Sequence, residues 1–434
     1  MIRSNSSVKT LIFLAVLASF LSFAKFDHCR NSNWAAPDSY VHACYSDIPI
    51  LFSARSLDIH QWAYKGGNNA VEYPVVMGAV MWATSWVSGS HSLRSYFDFN
   101  AILIALLFIF SVFVVWKIRP EYAYLSALSP GVLLALYINW DLWGIVTMLL
   151  AIYFFDRRKQ GLSASFLALS IATKFFPVFL LLPIVFILWR RENVRAIVKY
   201  LMITSLVWLA INAPVMLTAP QGWWHFYKLN LERGSDWGSL WYSLSLLGLH
   251  IKFLNYLTIL TLILVLVAMV VFLLEIKDPP TLAEVSFILL AATLCIGKVY
   301  SPQYVLWLVP LAVIALRERS QLSAFWLWQA GEVIYHVAIW QHLALVSGSH
   351  FGLPQFGYAL ASLARIATSI YLLFVLVRVV LVRSRLKPPP PQAQISQGRR
   401  ADFLLGQPQV TLSLPRPPSA GSTNPPVTEI PWPL

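Results

Sequence analysis

Leu254–Leu274 reads LNYLTILTLILVLVAMVVFLL, with no Asp, Glu, Lys or Arg in it. A run of about 20 apolar residues matches a hydrocarbon core of ~30 Å as a helix, so this stretch is read as a membrane span. The rest of the chain has the same character. Of its 434 residues, 58% are hydrophobic and 12% charged, and the mean hydropathy is +0.64. Soluble domains carry about 25% charged residues. So few charges cannot cover a water-facing surface, and the fold class expected is all-α, a polytopic membrane protein of about 12 transmembrane helices. The net charge of +13 is scattered through short loops. It is a topology signal and not the basic stripe of a nucleic-acid binder. Cys29, Cys44 and Cys295 have no metal-ligand spacing. Cys29 and Cys44 share one soluble loop, as a disulfide or as two free thiols.

Taken outward from that span, the apolar runs order the chain. Thr10 to Phe26, preceded by Arg3 and Lys9, is a signal-anchor that leaves the N-terminus in the cytoplasm. Residues 27–96 form a large first extracytoplasmic loop. Within it Pro74 to Ser88 is apolar but short, as an interfacial or re-entrant helix is. With that run left on the surface, Asp98 to Trp116 carries the chain inward, and Lys117, Arg119 and the Arg157-Arg158-Lys159 cluster become cytoplasmic. Short spans follow over Tyr122 to Ile138, Leu142 to Phe155, Leu162 to Thr173 and Val178 to Trp189. Runs this short work where their ends meet protein or a water-filled cavity. Ile197 to Leu217 leads to a second large external loop, 218–252, which holds Trp223, Trp224, Trp237 and Trp241 as an interfacial belt or a sugar-stacking surface. Leu254 to Leu274, Leu282 to Gly297, Val305 to Leu316, Leu322 to Trp340 and Gly357 to Val382 complete the set. The transmembrane domain is expected over 1–383. Residues 384–434 open on Pro388-Pro389-Pro390-Pro391 and read as a disordered, Pro-rich cytoplasmic tail.

This topology gathers ionisable groups at helix ends on the external face, and leaves Glu332 and Arg365 within spans. Asp47, in Tyr45-Ser46-Asp47-Ile48, is either a general base or the cap of a helix starting at Ile48-Pro49. Glu72, before Tyr73-Pro74, is a second candidate base or a cap. Asn139 and Asp141 either bind substrate or start a helix. Lys174, Arg233 and Lys298 lie near the external surface as cations for an anionic group; for Lys174 and Lys298 the alternative is snorkelling to the interface. Gln303 joins this set from the Lys298-to-Gln303 turn. One carboxylate with several cations suits a reaction that takes a proton from a hydroxyl while an anionic leaving group is held.

Tyr45-Ser46-Asp47-Ile48, Glu72-Tyr73-Pro74-Val75, Asn139-Trp140-Asp141, Thr173-Lys174-Phe175-Phe176-Pro177 and Ser301-Pro302-Gln303-Tyr304 occur in this order. The ordered set, over roughly residues 10–383, resembles the GT-C glycosyltransferases. Within them it is similar to bacterial polyprenyl-phosphate-mannose-dependent α-mannosyltransferase-like proteins, and more distantly to the GPI mannosyltransferase I catalytic subunit. The resemblance implies a GT-C fold in the cell membrane, a polyprenyl-phosphate sugar donor held among membrane lipid, and an extracytoplasmic glycolipid or glycan acceptor. It also implies an inverting transfer, with the first-loop acid at Asp47 as the base. Mannose is the default sugar and arabinose its competitor. Many such enzymes carry adjacent acids in the first loop, whereas Ser46 and Ile48 flank Asp47; no cofactor is firmly implied, and a divalent metal stays open. Phe176 stands where Tyr is common. A lipid-linked-sugar flippase or a non-catalytic envelope scaffold are the competing expectations. A transporter of that kind usually shows internal repeats, and none is evident here.

Overall fold

The computed structural model describes residues 7–88 and 92–386. Among the described residues every regular element is a helix or a 3-10 turn, and there is no strand. Of the expected tail, 384–434, residues 387 onward lie outside them, and 384–386 belong to the last helix, Gln355–Leu386.

Four helices are long and apolar enough to cross a membrane: Leu93–Ile118, Val194–Thr218, Leu254–Glu275 and Gln355–Arg385. Val194–Thr218 and Leu254–Glu275 bury little of themselves against the protein and present apolar sides outward, as lipid-facing spans do. The protein is a multi-pass membrane protein. Its interior is made by shorter helices. Val305–Ala315 is buried along its whole length, as a helix apolar on all sides must be. Leu142–Asp156 packs against Gln160–Thr173 and Leu93–Ile118, and Leu322–Val346 packs against Gln355–Leu386.

Each stretch expected to span is helical, with one break. Tyr122 to Ile138 forms two short helices, Tyr124–Leu128 and Pro130–Ala135. Between them Ser129 is extended, φ −67° and ψ 116°, because the ring of Pro130 disfavours the helical region for the residue before it. Two polar groups at the break find partners: Ser129 Oγ donates to the Leu125 carbonyl at 2.6 Å, and the Gly131 amide donates to Gln329 Oε1 at 3.1 Å. Within Pro74 to Ser88 the helix is Val75–Ser85, 11 residues. That is about 16 Å of helix, too short for a ~30 Å core.

The first loop is built of short helices. The Cys29–Cys44 disulfide closes its first half, with a Cα–Cα distance of 5.9 Å, so of the two states left open by the sequence the paired one is present. Arg30 then ties this half to the Leu93–Ile118 helix through both carboxylate oxygens of Asp98, each at 2.7 Å.

Helix polarity separates two ends of the bundle. Leu142–Asp156 runs from Asp141 to Arg157, and Gln160–Thr173 returns from Lys159 to Lys174. At the Arg157 end of the bundle Asp156 lies near Arg157, Arg191 and Arg317, and Glu284, in the first turn of Leu282–Ile296, pairs with Arg317 at 2.9 Å and Arg383 at 2.8 Å. The Asp141 and Lys174 end carries the cavity described next.

Candidate active site

Asp47 is placed by its neighbours on both sides. The helix Asp47–Ala54 is capped by Ser46, whose Oγ accepts from the Ile48 amide at 3.2 Å. Pro49 falls in the first turn, where its missing N–H costs no hydrogen bond. Ile48 and Phe52 are fully buried, and the Phe52 ring stacks on Tyr96 at 4.2 Å. The Asp47 amide donates to the Ile138 carbonyl at 2.8 Å, and Ser46 Oγ donates to the Tyr137 carbonyl at 2.8 Å. The first loop is thereby pinned to Asn139-Trp140-Asp141. Since Ser46 is the cap, the Asp47 carboxylate is left for other work.

That carboxylate heads a hydrogen-bonded chain. Its Oδ1 accepts from the Tyr45 hydroxyl at 2.9 Å, and its Oδ2 accepts from Asn139 Nδ2 at 2.7 Å. Asn139 Oδ1 accepts from the Trp140 amide at 2.6 Å and from Lys174 Nζ at 3.4 Å. Lys174 Nζ lies 3.3 Å from Asp141 Oδ1, which also accepts from Trp307 Nε1 at 2.7 Å. The same ammonium sits over the Tyr73 ring, 4.4 Å from its centroid. Asp141 is fully buried and Lys174 nearly so. Lys174 therefore turns into the protein and does not snorkel. Asp141 does precede a helix, but its side chain makes no cap bond.

Gly144 lets these groups meet. A Cβ there would lie 2.7 Å from the Trp307 indole and 3.3 Å from Lys174 Cβ. Without a side chain, the Leu142–Asp156 helix comes close enough for Trp307, Asp141 and Lys174 to share one polar cluster.

The chain forms one wall of a cavity of about 520 Å³, lined by Asp47, Glu72, Asn139, Lys174, Arg233 and Gln303 together with many aromatic side chains. Glu72 is held by Arg55, with Arg55 Nε 3.0 Å from Glu72 Oε2 and a second contact from Nη2 to Oε1. Arg233 pairs with Asp236, which also lines the cavity. The sequence-derived set thus converges, with two members set back. Asp141 stands behind Lys174. Lys298 is not among the lining residues: its Nζ binds the Arg233 carbonyl at 2.8 Å, the Asn230 and Leu231 carbonyls at 3.3 and 3.4 Å, and Asn255 Oδ1 at 2.8 Å. It closes the C-terminal end of the Pro220–Glu232 helix, a usual place for a lysine.

Poor hydration at the cavity wall raises the Asp47 carboxyl above the ordinary Asp range. The Tyr45 hydroxyl, the Asn139 amide and the Lys174 charge oppose that rise, and the nearby Asp141 adds to it. A base held nearer neutrality takes a proton more effectively.

Three aromatic rings also shape the cavity, two of which, Tyr40 and Trp340, no short motif marks. Tyr40, Tyr45 and Trp340 stand together, with centroids 5.3 Å apart for Tyr40–Tyr45, 5.4 Å for Tyr45–Trp340 and 6.2 Å for Tyr40–Trp340. Of the four tryptophans within 218–252, Trp237 lines the cavity, whereas Trp223 and Trp224 pack on Tyr227 and Trp241 donates to the Ile296 carbonyl. Among the described residues, the His, Cys, Asp and Glu side chains grouped closely enough to hold a metal are His28, Asp38 and His42, outside this cavity.

No protein-family model matches the chain, and no curated protein matches it. Among solved structures it is similar to ArnT from Cupriavidus metallidurans, a crystal structure bound to undecaprenyl phosphate. The match covers 87% of this chain and 78% of that one, at 11% identity and a TM-score of 0.44. A score so low carries no weight for function.

Proposed function

We propose that this protein is a GT-C-type membrane glycosyltransferase. It moves a sugar, mannose by default, from a polyprenyl-phosphate donor to a glycolipid or glycan acceptor, with Asp47 as general base. The observation that carries this is the joining of Asp47 and Lys174 through Asn139 on one cavity wall.

The phosphate of such a donor is already a good leaving group and needs no general acid. The acceptor hydroxyl gives its proton to Asp47 as its oxygen bonds to the anomeric carbon, and the bond from that carbon to the phosphate oxygen breaks. The polyprenyl phosphate leaves with the electron pair. Attack opposite the leaving group inverts the anomeric centre. Lys174 and Arg233, the two Lys or Arg side chains that line the cavity, oppose the charge that grows on the phosphate. Asn139 orients Asp47, and Tyr45 holds its other oxygen. Glu72, clamped by Arg55, is less free to take a proton.

Membranes carrying the wild-type chain or Asp47→Asn, given radiolabelled polyprenyl-phosphate-mannose, test this. Loss of a positioned base lowers transfer by ~10²–10⁴-fold. The Ser46 cap is untouched by Asp47→Asn, so near-normal transfer in that variant would remove Asp47 as base. If Glu72→Gln abolished transfer instead, the base would be Glu72. A wild-type chain that transfers neither mannose nor arabinose would favour a scaffold.

A further inference from the structure

The first half of the external loop holds a second polar cluster, none of whose members lines the cavity. His28 Nε2 lies 2.6 Å from Asp38 Oδ2, and His42 Nδ1 lies 3.1 Å from Asp38 Oδ1. The two imidazoles are stacked, with centroids 3.6 Å apart and planes within 19°. One ligating atom from each of the three residues lies within 4.8 Å of the others. His28 immediately precedes Cys29 and His42 stands two residues before Cys44, so the Cys29–Cys44 disulfide brings them together. All three side chains reach solvent.

Two imidazoles and one carboxylate converging from two short helices form a donor set for a borderline divalent cation. Here His28 shares a proton with the carboxylate, while His42 Nδ1 is hydrogen-bonded to the Asp38 carbonyl at 3.1 Å and lies equally near carboxylate Oδ1, so that a cation can replace the proton at each imidazole. On tetrahedral zinc, ligand atoms at about 2.0–2.1 Å stand roughly 3.3 Å apart. Both His–carboxylate separations, 2.6 and 3.1 Å, lie just below that value, and the three ligating atoms all lie within 4.8 Å of one another. We propose that His28, Asp38 and His42 bind one Zn²⁺ on the external face, with water completing the coordination. The ion clips Asp27–Ser32 to Asp38–Val41, the helix that carries Tyr40 to the cavity wall. This site stands whether or not the chain transfers sugar.

The test uses the detergent-solubilised full chain, its disulfide intact and any affinity tag removed, stripped with chelator and titrated with zinc chloride. Metal content after gel filtration and calorimetry are the readouts. The expected result is one zinc per chain and a higher unfolding temperature with zinc. Asp38→Asn lowers zinc affinity at least tenfold. His28→Asn/His42→Asn lowers it by at least about a hundredfold, since even partners one shell removed from a metal are worth about 10–100-fold. If the double variant does not elute as wild type, His42→Ala alone serves, and retained affinity there counts against the site. His60→Ala must leave binding unchanged. No zinc retained at 100-fold excess, wild-type affinity in the double variant, or equal retention of Mg²⁺ would overturn the proposal.

Discussion

Lys174 carries two burdens, and separating them needs two substitutions. Its ammonium stands 3.3 Å from Asp141 Oδ1, and the carboxylate of Asp141 is fully buried. Trp307 Nε1 donates to Oδ1 as well, but Asp141 Oδ2 has no hydrogen-bond partner. Lys174→Met therefore strands a buried charge with a single neutral donor. Removing one member of a buried pair costs about 3–5 kcal/mol, so the single variant should express poorly, and its lost transfer would say nothing about chemistry. Adding Asp141→Asn takes away the stranded charge while keeping an oxygen for the Trp307 indole. The double variant should recover most of the folding loss. If Lys174 also opposes charge on a departing phosphate, transfer in the double variant stays about 10²–10³-fold down, the usual loss for one such donor. Thermal unfolding followed by tryptophan fluorescence gives the first quantity, and initial transfer rates on equal amounts of folded protein give the second. A double variant that regains both stability and wild-type transfer would show that Lys174 only neutralises Asp141.

The raised Asp47 carboxyl predicts the acid limb of the pH–rate profile. The base is lost on protonation, so transfer should fall as pH drops through a value above the ~3.9 of an ordinary Asp; a limb at or below that value would contradict the desolvated site. Gly144→Ala pushes a methyl group into the Trp307 indole, and overpacking of this kind costs about 1–3 kcal/mol. Its unfolding temperature and transfer rate should both fall, and an unchanged pair would show that the helices need not approach so closely. A cysteine at Ser90, which lies outside the described residues, should react with a membrane-impermeant thiol reagent from outside in a Cys295→Ser background. Labelling only after permeabilisation would mean that the Pro74-to-Ser88 segment crosses. Lys298→Met should leave donor binding and transfer within about twofold of wild type, because the ammonium is engaged with helix carbonyls and can be replaced there by water.

Much of this cavity is legible in sequence because its parts sit where apolar runs end. Asp47, Asn139, Lys174 and Gln303 each mark such an end, and helix ends on one side of a bundle converge. Lys298 obeys the same pattern yet turns away, because its partners at 230–233 and 255 come from another part of the chain that no local pattern reports. The Arg55–Glu72 pair is hidden for the same reason, its members 17 positions apart across a loop with two 3-10 turns. Trp340 lies mid-helix and reaches the cavity through tertiary packing alone. The break in Tyr122 to Ile138 is different: Ser129-Pro130 is a local signal present in the sequence itself, where the proline disfavours helix for the residue before it.

The two ionisable groups within the later spans bear on catalysis versus transport. Intramembrane charges usually mark an ion or substrate path. Glu332 and Arg365 are both fully buried, and Arg365 Nε lies 2.9 Å from Glu332 Oε2. The guanidinium also donates to the Tyr300 carbonyl at 2.5 Å and the Ser301 carbonyl at 3.1 Å, and it lies against the Tyr300 and Tyr335 rings. Each of the three guanidinium nitrogens faces a fixed partner, and neither residue lines the cavity. What the pair does hold is the turn that continues into Ser301, Pro302 and Gln303 on the cavity wall. A path for ions would need groups that exchange partners as cargo passes. A group locked to two successive carbonyls instead fixes one backbone geometry. This buried pair therefore acts as a brace for the part of the cavity wall formed by Ser301, Pro302 and Gln303, the preorganisation that the proposed transfer needs.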